Sequence, residues 1–487
     1  MENSKLKKCL EEWLEEVTIS KIQEKMENGR LSSKELVLMY LHRISRFDKE
    51  LHSILEVNPD ALHIAEALDA ERRETGPRSK LHGIPILIKD NIDTHDKMHT
   101  SAGSFALKDS IAPNDSFVTD KLRKAGAVIL GKTNMTEWAN FMAIGMKSGY
   151  SSRGGQVLNP YGPGKFDVGG SSSGSGAAIA ANLAAAAVGT ETSGSILNPS
   201  CQNSLVGIKP TVGLISRRGI IPIAHTQDTA GPMARTVEDA AILLTALCGK
   251  DDLDPITVTN PFVDFDFTEF LLKDGLKGKR IGIASEGFME LLSKEKQKIV
   301  AAALESLKFS GAEVIEHIEI PSNKAEWKND VLTYEFKPDL NSYLGSLHPS
   351  IPVRTLADLI EFNKKHEEKM LKYGQAVLLE SEKTSGSLTE AAYIDALEFD
   401  LYHSTQQGID YAIETYDLDA ILFPSDEGSH ISAKAGYPTI AVPAGYTSHG
   451  EPVGITFAGT AFSEPLLIQV AYAFEQMTGF RKAPVLE

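Results

Sequence analysis

Short apolar runs that recur between helix-like segments constrain this chain more than any other feature. Gly83–Lys89 reads GIPILIK and Ala127–Leu130 reads AVIL, each bounded by turn-forming residues and too short for a helix. Between them Asp120–Ala125 predicts a helix that ends at Gly126. Further on, Arg280–Ala284, Lys294–Phe309 and Ala312–Ile320 predict a strand, a helix and a strand. Leu418–Pro424 and Thr439–Pro443 read as two more buried strands, and Val353–Tyr373 as a charged helical stretch. Buried strands alternating with helices specify an α/β fold, a single large domain with a central mixed, mostly parallel β-sheet covered by helices.

The first eighty residues differ. Ile19, Ile22 and Met26 recur at helical spacing, as do Leu36, Tyr40 and Ile44 with Val37 and Leu41 beside them. Ser32 or Ser33 is placed to cap the second helix, and Glu35 stands where a capping box starting at Ser32 needs an acid. Residues 1–80 are therefore expected to form a helical segment packed on an α/β domain spanning 81–487. No fixed-period repeat and no long linker interrupts the chain, and the acidic stretch Asp251–Phe270 is the weakest join.

Apolar residues make up 42 % and charged residues 24 %, enough for a sizeable core and too ordered a balance for a disordered chain. The net charge of −17 disfavours nucleic acid and anionic membrane surfaces as partners. Three scattered cysteines, Cys9, Cys201 and Cys248, form neither a disulfide framework nor a zinc pattern. Met1–Val17 reads as an amphipathic helix start rather than a cleavable leader, and the most apolar stretch, Ala177–Val188, is too short to span a membrane. The expectation is a cytoplasmic monomer or homodimer with no metal and no cofactor.

Two motifs match by string and fail by context. GAVILGKT at Gly126–Thr133 fits the phosphate-loop pattern, but its four middle residues are an apolar β run that cannot also curl around phosphate. Lys132 and Thr133 then lie just past a strand end. GSSSG at Gly170–Gly174 fits the nucleophile-elbow pattern around Ser172, yet no strand precedes it. His225 and His430 read as ordinary satisfied side chains.

A long irregular segment, residues 145–175, is crowded with Gly, Ser, Asn and Pro and leads into Gly176–Val188, read as a small-residue helix. Ser195 follows Ser171 by 24 positions. A helix of about 12 residues travels roughly 18 Å, and about five strand residues return roughly 16 Å, so the two serine loops can meet at one end of the sheet. Lys89 ends an apolar strand, and burial there lowers an amine's pKa until it can act as a neutral base. Taken singly, each of these residues more often does nothing than something.

The motifs together resemble the amidase signature family. They are GIPILIKDN (Gly83–Asn91), GGSSSGSGAAIAA (Gly169–Ala181), GTETSGSILNPS (Gly189–Ser200), VGIKPTVGLISRRGIIP (Val206–Pro222) and QDTAGPMARTVEDA (Gln227–Ala240). The resemblance covers about residues 20–245, and returns in ILFPS, YPTIAVPAG and EPVGITFAG near the end of the chain. It implies a signature core at about 81–245 and a more variable region at about 250–415. It further implies Ser195 as nucleophile, Ser171 as a bridging serine after a cis bond, Lys89 as base and Ser172 as support. The N–H groups of Thr192, Ser193, Gly194 and Ser195 would form the oxyanion hole. Where the family carries DTGGSIR this chain has ETSGSIL, so Ser193 replaces a glycine and Leu197 an arginine. These features and NMTEWANF (Asn134–Phe141) are similar to the bacterial peptide amidase branch. The activity implied is cofactor-free hydrolysis of a carboxamide, on a C-terminal peptide amide or a small amide. The alternative is one component of an amidotransferase, working on aminoacyl-tRNA together with partner subunits.

Overall fold

The structure, a computed structural model, describes residues 4–486. Met1–Asn3, the start of the segment read as a helix opening, lie outside the described residues, and a helix runs over Ser4–Glu12. Helices Ile19–Glu27 and Ser33–Leu51 follow the expected spacing, with Ile19, Ile22, Leu36, Val37 and Tyr40 in the main core. The capping box is formed: the Ser32 hydroxyl accepts from the Glu35 N–H at 3.1 Å, and the Glu35 carboxylate accepts from the Ser32 N–H at 2.9 Å.

Thirteen strands are described. They are β1 (Ile54–Val57), β2 (Pro85–Lys89), β3 (Val128–Thr133), β4 (Tyr150–Ser151), β5 (Gly155–Gln156), β6 (Ala186–Glu191) and β7 (Val206–Lys209). After them come β8 (Thr229–Ala234), β9 (Arg280–Ile283), β10 (Glu313–Ile315), β11 (Ala420–Pro424), β12 (Thr439–Tyr446) and β13 (Pro452–Ala458). All but the β4–β5 hairpin join one sheet in the order β1-β3-β2-β6-β8-β7-β12-β13-β11-β9-β10. This is a single large α/β domain. The sheet is mixed, but it is not mostly parallel as expected: β2 is parallel to β3 and β6, and β9 to β10 and β11, whereas every contact from β6 through to β11 is antiparallel. Short connections explain part of this. The link Thr447–Glu451 between β12 and β13 leaves no room for a crossover, so only a hairpin fits.

Three further expectations shift. The run Gly176–Val188 is not one helix: the helix is Ser173–Ala180, Asn182 turns left-handed at φ +56°, and β6 begins at Ala186. An alanine run carries no period, so nothing in it marks where coil winding gives way to extension. Lys132 and Thr133 lie inside β3 rather than beyond it, and the Lys132 amine is buried against the Ile92 carbonyl and the Thr100 hydroxyl. No phosphate cradle is formed there. The acidic stretch Asp251–Phe270 forms short turns whose Phe267 is buried in the main core.

A second apolar cluster sits apart from the first. Helices Asp330–Ser346 and Leu356–Lys365 bury Phe336, Leu340 and Leu359 against Trp138, Phe141 and Met142. The rings of Phe141 and Phe336 lie 5.0 Å apart. This cluster brings residues 330–365 to the side of the sheet where β2, β3 and β6 end.

Candidate active site

The geometry follows from adjacent strands. Lys89 ends β2, whose parallel neighbour β6 runs in register with it, Ile88 opposite Val188, and continues to Thr190 and Glu191. The Lys89 amine therefore emerges beside Thr190, with Nζ 3.1 Å from its carbonyl and 3.0 Å from its hydroxyl. The third contact is the Ser171 hydroxyl at 2.7 Å. The Asn91 amide also donates to the Thr190 hydroxyl, at 3.0 Å.

Ser171 and Ser172 arrive on the loop before helix Ser173–Ala180, and the Gly170–Ser171 bond is cis. Gly169 has φ +72°, and a side chain there would run into Pro199. The Ser172 hydroxyl donates to the Thr190 carbonyl at 3.1 Å and accepts from the Thr190 N–H at 3.3 Å. Its own N–H donates to the Ser195 carbonyl at 3.1 Å. Ser172 thus joins the lysine-bearing and serine-bearing segments without touching Lys89. The structure brings Lys89, Ser171, Ser172 and the 192–195 loop together.

Lys89 is fully buried, and burial pulls its pKa down to about 7 against the opposing pull of Glu191 and Asp228. A neutral amine has two N–H groups and one lone pair. Thr190 offers two acceptors, which leaves the lone pair for the Ser171 O–H. The Ser195 hydroxyl makes no hydrogen bond to another described residue, and the Ser195 carbonyl is the atom that meets Ser172.

Sequence reasoning missed Glu191. Its carboxylate, buried at the end of β6, accepts from the N–H groups of Gly194 (2.8 Å), Ile196 (2.6 Å) and Leu197 (3.0 Å). Burial raises its pKa, and Lys209 and the three N–H groups pull the other way. This corrects one expectation: the Gly194 N–H is engaged by Glu191 and is not a free oxyanion donor. The N–H groups of Thr192, Ser193 and Ser195 make no hydrogen bond to other described residues. Gly194 needs its glycine, at φ +78°, while Ser193 is exposed and lies outside the left-handed region, so a side chain fits there. Leu197 opens helix Leu197–Gln202 and packs on Cys201 and Ala441. The sequence signal for Glu191 was the acid that heads ETSGSIL, at the place of the acid that heads DTGGSIR, at the end of a mostly apolar strand. Asp228, also missed, is buried with its pKa raised to about 6.

Among the described residues, His225, Glu335 and Asp339 are the one set close enough to hold a cation, within 4.8 Å of one another. They already satisfy each other, the His225 ring and N–H both bonding Asp339 at 2.9 and 3.0 Å. His430 is half-buried, edge-on to Trp327, and desolvation lowers its pKa to about 4.

Residues 35–468 match the family model described as Amidase. The chain belongs to the amidase family. A protein of Arabidopsis thaliana called a probable amidase is 44 % identical over 484 residues, covering 97 % of this chain and 92 % of that one. The native peptide amidase of Stenotrophomonas maltophilia superposes with a TM-score of 0.92 at 44 % identity, covering 98 % of this chain and 99 % of that one. A glutamyl-tRNA(Gln) amidotransferase subunit of Thermosynechococcus vestitus is more distant, 32 % identical over 94 % of this chain and 98 % of that one. The chain is an amidase signature hydrolase of amide C–N bonds, similar to peptide amidase. No described helix is long and apolar enough to cross a membrane.

Proposed function

We propose that this chain releases ammonia from C-terminal peptide amides through a Ser195–Ser171–Lys89 relay. The observation that carries the relay is the 2.7 Å contact between Ser171 and a fully buried, near-neutral lysine. Ser171 passes its proton to Lys89 Nζ as it takes the proton of Ser195, whose oxygen attacks the substrate carbonyl. The N–H groups of Thr192, Ser193 and Ser195 receive the negative charge of the tetrahedral intermediate. Lys89 returns its proton through Ser171 to the departing nitrogen, and ammonia leaves. Water then enters by the same relay and splits the acyl-enzyme to the free acid.

The amide-hydrolase relatives at 44 % identity favour this reading over a tRNA-dependent amidotransferase, whose relative stands at 32 %. The test is ammonia release by the isolated chain from amidated peptides, set beside simple aliphatic amides. Ser195→Ala and Lys89→Ala are expected to lower kcat by about 10³-fold or more with the fold retained by circular dichroism. Wild-type turnover by folded Lys89→Ala overturns the relay. Activity that appears only in a complex with partner subunits overturns the choice of reaction.

A further inference from the structure

The loop 223–228 grips Thr192 from one side and is itself gripped from the other. Asp228 Oδ1 accepts the Thr192 O–H at 2.5 Å, and Gln227 Nε2 donates to the Thr192 carbonyl at 3.2 Å. Asp228 Oδ2 accepts the N–H groups of Ile223 at 2.8 Å and Ala224 at 3.1 Å, which closes the loop on its own carboxylate. On the far side, Asp339 accepts from the His225 N–H and ring, and Glu335 accepts from the Thr226 N–H at 3.1 Å and hydroxyl at 2.9 Å. Both acids project from helix Asp330–Ser346, and the Tyr393 hydroxyl holds Glu335 at 2.8 Å. Asp228 is buried and makes no salt bridge among the described residues. A buried carboxylate of that kind is costly unless its hydrogen bonds do something the fold needs.

Peptide geometry says what they do. In a trans peptide the C=O and the following N–H point opposite ways. Drawing the Thr192 carbonyl toward Gln227 therefore aims the Ser193 N–H away from Gln227. Tying the Thr192 hydroxyl to Asp228 fixes that side chain, and with it the orientation of the residue's own N–H. We propose that Asp228 and Gln227 are positioning residues of the oxyanion hole, which orient the Thr192 and Ser193 N–H groups and are braced by helix Asp330–Ser346. This rests on the oxyanion role given to Thr192, Ser193 and Ser195 above. It assigns part of the variable region a share in the chemistry.

The experiment measures Asp228→Asn, Gln227→Ala, Thr192→Val and Thr192→Ser on the best amidated peptide, with a trifluoromethyl ketone analogue of that peptide as inhibitor. Orientation of transition-state donors predicts that the first three lose about 10- to 100-fold in kcat with KM within about twofold. Affinity for the ketone falls by the same factor as kcat/KM, and Thr192→Ser, which keeps the hydroxyl, stays within about threefold of wild type. A merely structural role lowers the melting temperature without this correlation. If Asp228→Asn does not fold, Thr192→Val, which removes only the hydroxyl contact, decides. Wild-type kcat in folded Gln227→Ala and Thr192→Val overturns the proposal. Activity in Ser195→Ala instead overturns the parent relay, so the two failures are separable.

Discussion

A lysine whose amine meets only hydroxyls and a carbonyl gives up its proton near neutrality, and the pH profile should show it. Lys89 works as a base only when uncharged, with a pKa of about 7. kcat/KM is expected to climb with pH through that value and to fall about tenfold per unit well below it, in a titration of ammonia release. The negative charge of Glu191 favours the charged amine. Glu191→Gln is therefore expected to move the acid limb to lower pH, and to lower kcat because three N–H groups lose a carboxylate acceptor. An unmoved limb in a folded variant counts against the coupling. Lys89, Ser171 and Ser195 were legible because each sits in a motif of distinctive order and spacing. Glu191 and Asp228 sit in quoted motifs too, but their roles were not legible, because most of their partners are backbone N–H groups, and a backbone partner leaves no mark in the sequence. The same blindness put Gly194 among the free donors.

Among the elements, helix Ser173–Ala180 is tightly seated, with every one of its residues buried. A Cβ on Gly174 would collide with the backbone oxygens of both Asn134 and Ser53, which cannot move aside as a side-chain tip can. Gly174→Ala is expected to cost about 1–3 kcal/mol, read as an earlier midpoint in denaturant unfolding. It should also depress activity, because Ser171 and Ser172 sit on the loop entering that helix. Strands buried on both faces, such as β2 and β11, announced themselves as unbroken apolar runs. β1 did not: three of its residues are half-buried, Val57 is exposed, and a four-residue edge strand carries too little pattern to stand out from the helices around it. The antiparallel middle of the sheet was equally hidden, since strand direction follows from connections and not from composition.

Across the molecule, the two ends of the described chain meet at one arginine. Arg481 bonds both oxygens of Glu16 at 2.8 Å, the Ser204 carbonyl at 2.6 Å and the Ala180 carbonyl at 3.2 Å. It ties the first helices, the last residues and the end of helix Ser173–Ala180 into one knot. Arg481→Ala leaves the half-buried Glu16 without its cation and two backbone carbonyls without their donor, and is expected to cost about 1–2 kcal/mol with kcat nearly unchanged. Equilibrium unfolding alongside steady-state kinetics separates the two effects.

Lys89 and the Ser195 loop issue from neighbouring parallel strands. Their separation is thereby metered by the spacing between hydrogen-bonded backbones, about 4.8 Å, a length that no loop insertion or deletion can stretch. The proton path is in effect ruled onto the sheet like a line on graph paper. Whatever is redrawn in the margins alters which molecules are admitted, and leaves the stroke that cuts them where it was.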